Sequence, residues 1–215
     1  MIYFEYGKGK TMFLYFIRHG QTDWNKERRM QGQSDIPLNK NGREAAIEAG
    51  KALADTKIDL AFSSPLKRAK ETAELVLAGR NIPIIEDKRI EEISFGVCEG
   101  MTGRDENNEP VGCFAEFFAH PESYKAPEHG EDAKMLCART WDFLEDITTR
   151  KELQDKSILI ATHGAALQSM MLWVKKQPIS EFWKSGLKKN CSVTKVEVTN
   201  GQITVLEEGE KQYNA

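Results

Sequence analysis

The chain has 215 residues, 40% of them hydrophobic and 29% charged, which gives enough length for a substantial core and too much apolar content for a disordered chain. Its formal net charge of −3 argues against nucleic acid or an anionic membrane as a partner, so any anion site must be a local cluster of basic side chains. The longest apolar run near the N-terminus, residues 12–17, is far too short to span a membrane.

Apolar strand patterns alternate with helix patterns along most of the chain. Residues 1–11 differ from the rest and are expected to be a flexible N-terminal extension, followed by a single domain over 12–215. Residues 13–19 contain an uninterrupted apolar run, which is typical of a parallel strand buried on both faces. The next patterns predict a helix over 41–55, a strand over 59–64, a helix over 66–78 and a strand over 82–87.

The second half of the chain continues this alternation. Ser64 and Pro65 are expected to be the N-cap and first residue of the helix that contains 66–78. Further patterns predict a helix over 130–153, a strand over 157–164, a helix over 165–174 and a hairpin over 192–208 that turns at Asn200-Gly201. The alternation predicts a three-layer α/β/α sandwich with a mostly parallel central sheet and a C-terminal β-hairpin.

Four cysteines are spread along the chain, and none forms the Cys-x-x-Cys spacing of zinc sites or thioredoxin-like motifs. They are Cys98, Cys113, Cys137 and Cys191. Because no secretory signal pattern is present, we expect reduced thiols in a cytoplasmic protein.

Two of the four histidines, His19 and His163, follow apolar strands and precede a glycine. Ligands of α/β folds bind at the carboxyl ends of strands, so these histidines are expected at one edge of the sheet. Arg18 precedes the first histidine, and Arg68 lies near a helix N-terminus, which favours anions. Each residue taken alone is more often structural or solvated, but together the four predict a phosphate site.

Paired histidines at a phosphate site suggest phosphoryl transfer. A neutral imidazole nitrogen can attack phosphorus and form a phosphohistidine, and the leaving alkoxide then needs a general acid. Glu91 and Glu92 are adjacent candidates for this acid. Neighbouring residues of an extended segment point in opposite directions, so at most one faces the pocket, and periodicity leaves the choice open.

Five segments occur in an order that is very specific in combination. They are RHGQTDWN (18–25), RMQGQSDIPLNKNGREAA (29–46), LAFSSPLKRAKETAEL (60–75), EEISFGVCEG (91–100) and ATHGAAL (161–167). In this order they resemble the histidine phosphatase superfamily, in its phosphoglycerate-mutase-like branch, over nearly the whole chain. The resemblance implies that His19 is the nucleophile and that Arg18, Arg68 and His163 bind the phosphoryl group.

The resemblance also implies the remaining site residues. Asn25 would be a further phosphate contact, and Gln31 and Gly32 fall in the loop that lines the family's pocket. Gly164 follows the second histidine at the same pocket. The family's acid lies four positions before a glycine, which here selects Glu92. No metal and no other cofactor is implied.

The acid segment departs from the family's mutases. At this segment the mutases have a pattern like Glu-Arg-His-Tyr-Gly, whereas residues 92–96 of this chain read Glu-Ile-Ser-Phe-Gly. The chain therefore lacks the basic and tyrosyl groups that would help hold a phosphorylated acid. Mutases also carry a longer, more basic insertion after this segment. Residues 97–132 are expected to form a cap or lid over the domain. Residues 128–139 resemble the segment of phosphatase members that contains Gly-Glu-Ser and a later Arg, with Asp132 in place of the Ser.

Three phenylalanines within the expected cap have i, i+3, i+4 spacing. Phe114, Phe117 and Phe118 predict an apolar stripe on a helical segment, favoured here as packing of the cap onto the core. The alternative is an apolar wall beside the phosphate site, which would favour bulky or aromatic phosphomonoesters.

These observations predict a metal-independent phosphomonoester hydrolase that forms a phosphohistidine on His19, with Glu92 as general acid and base. The expected partner is a small-molecule phosphomonoester, with no nucleic acid and no membrane. The sequence does not indicate the oligomeric state. The alternatives are a cofactor-dependent phosphoglycerate mutase and a catalytically silent phospho-ligand sensor, which retention of both nucleophile and acid disfavours.

Overall fold

A computed structural model of the chain describes residues 9–107 and 109–209. Most of the expected N-terminal extension, residues 1–8, lies outside the described residues, and the first strand already includes Thr11. The strands of the sheet are β1 Thr11–Arg18, β2 Leu60–Ser63, β3 Ile84–Glu86, β4 Ser157–Thr162, β5 Val193–Thr199 and β6 Gln202–Glu207. The helices are α1 Asp23–Lys26, α2 Lys40–Ala52, α3 Lys67–Val76, α4 Ala115–Ala119, α5 Ala133–Thr149 and α6 Gly164–Lys175.

The strands form one sheet in the order β3-β2-β4-β1-β5-β6. The neighbours β3-β2, β2-β4 and β4-β1 are parallel, whereas β5 is antiparallel to both β1 and β6. The predicted mostly parallel sheet with a C-terminal hairpin is therefore confirmed. The central pair β1 and β4 ends in register, with Arg18 opposite Thr162.

Alternate residues of β1 enter two cores, one on each face of the sheet. Leu14 and Phe16 pack in a cluster that includes residues of α5 and α6, whereas Tyr15 and Ile17 pack with residues of α2 and α3. Each fully buried side chain of this size contributes about 1.5–3 kcal/mol of transfer free energy. Helices thus cover both faces, and the predicted three-layer sandwich is confirmed.

Two predicted helix starts are wrong. The helix expected to begin at Pro65 begins at Lys67, with Leu66 as an N-cap that makes no side-chain hydrogen bond. Ser64 lies outside this helix, where its hydroxyl contacts a histidine ring. The helix predicted over 130–153 spans only Ala133–Thr149. It starts at Ala133 because the Asp132 carboxylate accepts from the Met135 N–H at 2.8 Å and acts as the N-cap.

The segment over 97–132 contains α4 and two isolated antiparallel bridges, one from Thr102 back to Arg29 and one between Arg104 and Pro110. Its expected role as a lid stays a prediction. Among the described residues, no helix combines the length and the apolar content that crossing a membrane requires.

Candidate active site

The two histidines that follow apolar strands lie side by side. Because Arg18 stands opposite Thr162 at the ends of β1 and β4, the next residue of each strand emerges at the same edge of the sheet. The ring centroids of His19 and His163 are 5.2 Å apart and the ring planes are inclined by 55°. Both side chains are buried. The structure therefore brings these two predicted site residues together.

The His19 ring has one nitrogen bonded to the backbone. Its Nδ1 atom lies 2.7 Å from the carbonyl oxygen of Gly20. A carbonyl can only accept, so Nδ1 carries the proton and Nε2 keeps its lone pair. Burial, followed by the charges of Arg68 and Arg18, lowers the pKa of His19 well below its usual value. The ring is therefore neutral at pH 7, as a nitrogen nucleophile must be.

Two arginines, the buried Arg68 and the half-buried Arg18, are held by backbone carbonyls. Arg68 donates from Nη1 to Ser34 O at 2.8 Å and from Nη2 to Gly32 O at 2.7 Å. Arg18 donates from Nη1 to Lys188 O at 2.5 Å. The Nε atom of each arginine is buried and has no hydrogen-bond partner among the described residues. Burial lowers the pKa of Arg68 to about 10, so it stays cationic, and the unpaired donors suit an oxyanion.

His163 contributes a further unpaired nitrogen. Its Nε2 atom lies 2.7 Å from the Ser64 hydroxyl oxygen, which also accepts from the Leu66 N–H at 3.3 Å. Its Nδ1 atom is buried without a partner among the described residues. Burial, then the neighbouring charge of Arg68, lowers the pKa of His163 well below its usual value. His163 is therefore neutral and has one nitrogen available for a ligand.

The Glu92 carboxylate sits at the N-terminus of α6. It accepts from the N–H groups of Ala165 at 3.1 Å and Ala166 at 3.0 Å. A Cβ at Gly164 would lie 2.7 Å from the Leu187 side chain but 3.5 Å from a Glu92 carboxylate oxygen, so the glycine makes room for Leu187 and not for the carboxylate. Glu92 lines the central cavity and Glu91 does not. The geometry therefore favours Glu92 over Glu91 as the candidate general acid, a choice that strand periodicity left open.

An ion pair fixes the backbone around Glu92. The Arg139 guanidinium contacts both carboxylate oxygens of Glu131 at 2.8 Å. It also donates to the carbonyl oxygens of Arg89, Glu91 and Glu92 at 2.7–2.9 Å. These two residues are the Glu and Arg of the 128–139 segment, and they contact the main chain that carries the acid.

A second carboxylate fixes the loop that holds Arg68. Glu99 accepts from the N–H groups of Gln33 and Ser34, both at 2.8 Å, and from the Ser34 hydroxyl at 2.6 Å. Gly32 has φ +53, and a Cβ there would lie 2.0 Å from a Glu99 oxygen. Position 32 therefore has to be glycine. The loop places the carbonyl oxygens of Gly32 and Ser34 against the Arg68 guanidinium.

The other residues implied by the resemblance also reach the cavity. Asn25 accepts at Oδ1 from the Thr22 N–H and hydroxyl, at 3.1 and 3.2 Å. Gln31 is buried, and its Oε1 has no partner among the described residues. Asn190, which no motif singled out, donates to the main-chain oxygen of His19 at 2.8 Å. Like Glu99, it fixes the backbone of the site across a large separation in sequence.

One cavity of about 320 Å³ is lined by most of the predicted site residues, but His163 is not among its described lining residues. Its inner end is formed by His19, Arg18, Arg68 and Glu92. Its remaining described lining residues are arginines, amides, small residues and apolar or aromatic residues: Asn25, Arg28, Arg29, Met30, Gln31, Gly32, Phe95, Arg104, Phe117, Phe118, Gly164, Ala165, Trp183, Leu187 and Asn190. Within residues 9–107 and 109–209, no group of three or more His, Cys, Asp and Glu side chains could hold a metal ion.

The aromatic stripe predicted in the cap both packs against the core and lines the cavity. Phe114 and Phe117 are buried at 1% exposure, as packing onto the core requires. Phe117 and Phe118 also line the cavity, together with Trp183. The Trp183 indole N–H donates to the Phe117 carbonyl at 2.8 Å, and its ring lies 5.0 Å from that of Phe118. Trp183 was not expected, because it follows Phe117 by 66 residues.

The fold and this site define a known class of protein. A family model described as the histidine phosphatase superfamily (branch 1) matches residues 14–211. The chain belongs to this superfamily, and the resemblance seen in the motifs is confirmed.

Named relatives include both mutases and phosphatases. The chain is 34% identical to a 2,3-bisphosphoglycerate-dependent phosphoglycerate mutase of Cytophaga hutchinsonii, over 76% of this chain and 77% of the relative. It is 32% identical to a Bacillus subtilis protein named "Uncharacterized phosphatase PhoE", over 72% and 73% of the two chains. Among solved structures, Bacillus stearothermophilus YhfR is 35% identical, with a TM-score of 0.84, over 94% of this chain and 98% of that one.

Proposed function

We propose that the protein is a metal-independent phosphomonoester hydrolase that works through a phosphohistidine on His19. The observation that carries this proposal is the 2.7 Å contact between His19 Nδ1 and the Gly20 carbonyl. It leaves Nε2 with a lone pair in a ring kept neutral by burial. A neutral, oriented imidazole beside two cations is the arrangement that phosphoryl transfer to nitrogen needs.

In the first half-reaction, Nε2 of His19 forms a bond to phosphorus while the bond from phosphorus to the alcohol oxygen breaks. The phosphoryl oxygens take the unpaired Nε–H donors of Arg18 and Arg68, whose charges stabilise the transition state. His163 adds a donor from Nδ1 when that nitrogen carries its proton. Glu92 delivers a proton to the leaving oxygen, so the alcohol departs neutral.

In the second half-reaction, water attacks phosphorus and the bond to Nε2 of His19 breaks. Glu92, now a carboxylate, takes the proton that the water loses. Inorganic phosphate leaves, and the protonated acid and free imidazole are restored. The Arg139–Glu131 pair, through the carbonyls it holds, keeps the Glu92 backbone in place through both steps.

A phosphoglycerate mutase is the second candidate, favoured by the 34% identity to a mutase of that name. It would share the first half-reaction and return the phosphoryl group to a bound hydroxyl. Residues 93–95 argue for hydrolysis, because they place Ile93 and Phe95 in the buried core, where the mutase pattern has an arginine and a tyrosine. A silent sensor is disfavoured because nucleophile and acid are both present.

The test is capture of the phosphoenzyme. With 4-nitrophenyl phosphate, we expect turnover that survives chelator and an acid-labile phosphoenzyme that is absent in His19→Ala. His120→Ala, a change at an exposed histidine outside the cavity, is the matched control and should label normally. Labelling of His19→Ala, or loss of turnover on chelation, contradicts the proposal. Interconversion of 2- and 3-phosphoglycerate with a bisphosphoglycerate primer, at a rate above hydrolysis, would favour the mutase.

A further inference from the structure

The hydrogen bond that sets the His19 tautomer is a local one. Nδ1 contacts the carbonyl oxygen of the next residue, Gly20, at 2.7 Å. The geometry of this contact depends on the ring rotamer and on the backbone dihedral angles of His19 and Gly20. Glycine adopts the widest range of these angles, so the local sequence does not by itself hold the carbonyl against Nδ1. Contacts from other parts of the fold have to hold it there.

The peptide unit between His19 and Gly20 is held at both ends by side chains. Its carbonyl oxygen, that of His19, accepts from Nδ2 of Asn190 at 2.8 Å. Its N–H, that of Gly20, donates to the hydroxyl oxygen of Thr72 at 3.0 Å. Asn190 comes from the segment between α6 and β5, and Thr72 comes from α3. Two separate parts of the fold therefore fix the plane of one peptide.

The Thr72 hydroxyl has a defined role at each of its contacts. It donates to the main-chain oxygen of Arg68 at 2.6 Å, because a carbonyl can only accept. It accepts from the Gly20 N–H, because an N–H can only donate. The side chain is completely buried, so bulk water does not compete for either bond. A valine at this position has nearly the same shape and would make neither contact.

The next peptide unit, which contains the Gly20 carbonyl, packs against the first turn of α2. A Cβ at Gly20 would lie 2.5 Å from the Gly42 carbonyl oxygen, and a Cβ at Gly42 would lie 2.7 Å from the Gln21 nitrogen. The two glycines thus allow main chain to contact main chain. The carbonyl that accepts from His19 is therefore confined by α2, and the peptide before it is fixed by side chains.

We propose that Thr72 and Asn190 form a peptide clamp, a pair of positioning residues that hold the His19–Gly20 peptide so that the Gly20 carbonyl accepts from Nδ1 and Nε2 keeps its lone pair. The use of that lone pair as nucleophile rests on the proposed function, whereas the tautomer is a property of the resting protein. Both residues act through the backbone of His19.

Nitrogen-15 NMR of the resting protein tests the peptide clamp. In the unaltered protein, the proton of the His19 ring should lie on Nδ1. In Thr72→Val and in Asn190→Ala, part of the population should carry it on Nε2, because Nδ1 loses its fixed acceptor. Thr72→Ser keeps the hydroxyl and should restore the Nδ1 form. An unchanged tautomer in either of the first two variants overturns the inference.

Two matched controls accompany these variants. Thr148→Val removes a buried hydroxyl of α5 that donates to the carbonyl four residues earlier, Leu144 O at 2.6 Å, at a position outside the cavity lining. Lys189→Ala changes the exposed neighbour of Asn190. Both should leave the His19 tautomer as it is. Asn190 is only half-buried, so Asn190→Ala tests the same peptide if the Thr72→Val protein does not fold.

Kinetics separate positioning of the nucleophile from damage to the phosphate site. Single-turnover phosphorylation by 4-nitrophenyl phosphate should slow by about tenfold in Thr72→Val and in Asn190→Ala, and should recover in Thr72→Ser. The dissociation constant of inorganic phosphate, measured by calorimetry, should stay the same, because Arg18, Arg68 and His163 are unaltered. Phosphate binding that weakens as much as the rate would mean that Thr72 acts through Arg68, and would overturn its role in the clamp.

Failure of the proposed function gives a different result. If the unaltered protein forms no phosphoenzyme, the hydrolase assignment fails, and NMR of the resting ring still tests the peptide clamp. An Nδ1 tautomer that is lost in Thr72→Val and Asn190→Ala and restored in Thr72→Ser would then support the clamp without any turnover. A tautomer that is the same in all these proteins would overturn it in either case.

Discussion

The Nε2 atom of His163 lies 2.7 Å from the hydroxyl oxygen of Ser64. The Leu66 N–H donates to this oxygen, and among the described residues no acceptor other than the imidazole lies within reach of the hydroxyl proton, so we infer that the hydroxyl donates to Nε2. That donation places the remaining ring proton of His163 on Nδ1, the atom that is buried without a partner. Ser64 thereby selects the tautomer that can donate to a phosphoryl oxygen.

Replacing Ser64 by alanine should therefore lower kcat/KM by about tenfold, because His163 loses the contact that selects its tautomer. The matched control is Ser63→Ala, since the buried Ser63 hydroxyl donates only to the Ser64 carbonyl at 2.9 Å. Nitrogen-15 NMR of the imidazole should show the proton shifting away from Nδ1 in Ser64→Ala alone. An unchanged tautomer would contradict the role given to Ser64.

Acidification should destabilise the fold through the two buried histidines. Their pKa values are held well below the usual value, mainly by burial, whereas the unfolded chain takes up protons near pH 6.5. Stability is therefore present above about pH 6.5 and is lost as the pH falls, by up to about 1.4 kcal/mol per unit for each histidine. Urea unfolding at pH 7.5 and 5.5 should show that the free energy of unfolding falls less on acidification in His19→Gln than in the unaltered protein. An equal decrease in the two proteins would contradict burial of a neutral ring.

Glu99→Gln tests whether the loop around Gly32 positions Arg68. The amide keeps the shape but cannot accept all three loop hydrogen bonds at their present strength. We expect kcat/KM to fall by about tenfold, while Arg68→Ala loses on the order of 100-fold or more. In the double variant the losses should be less than additive, because one residue acts through the other. Glu71→Gln, at an exposed ion pair on α3, is the control; fully additive losses would contradict the coupling.

Glu92→Gln should show a dependence on the leaving group. An alkyl phosphate needs the proton and should slow by about 100- to 10,000-fold, whereas 4-nitrophenolate leaves without one and should slow far less. Comparing kcat for the two esters measures this difference. The control is Glu91→Gln, which is adjacent in sequence but outside the cavity lining. It should slow the hydrolysis of both esters only slightly and to the same extent. A uniform loss for both esters in Glu92→Gln would argue against its role as acid.

The aromatic wall should set a preference for apolar esters. Phe118→Ala removes the ring that stands between Trp183 and Arg104, and should reduce kcat/KM for phenyl phosphate about tenfold through lost apolar contact. Glycerol phosphate, which cannot cover the wall, should be affected much less. Equal rates for the two esters in the unaltered protein would eliminate the wall as a specificity element.

The inner end of the site could be predicted from the sequence because it depends on regular structure. Two apolar runs that end in His-Gly predicted parallel strands whose carboxyl ends lie at one edge of the sheet, and the structure has His19 and His163 at that edge on neighbouring strands. Ser64 was misassigned because its residue type fits a helix cap equally well. Its hydroxyl contacts His163, 99 positions away in the sequence, and a local sequence pattern cannot predict a contact over that separation.

The outer end could not be predicted for a similar reason. Trp183 reaches α4 across 66 positions, and Glu99 reaches Gln33 across the same separation. Neither residue belongs to a periodic pattern at its own position. Asn190 comes from an irregular loop and contacts main chain 171 positions earlier. These contacts depend on tertiary packing, so only the assembled structure could reveal them.

The carbonyl oxygens that hold Arg18 and Arg68 orient these cations without cancelling their charge. The site therefore keeps two positive groups close together at an electrostatic cost. Any tetrahedral dianion relieves that cost, and inorganic phosphate does so as well as the ester it came from. Under the proposed function, the arrangement that captures the substrate would therefore also retain the product, and turnover would depend on the escape of phosphate.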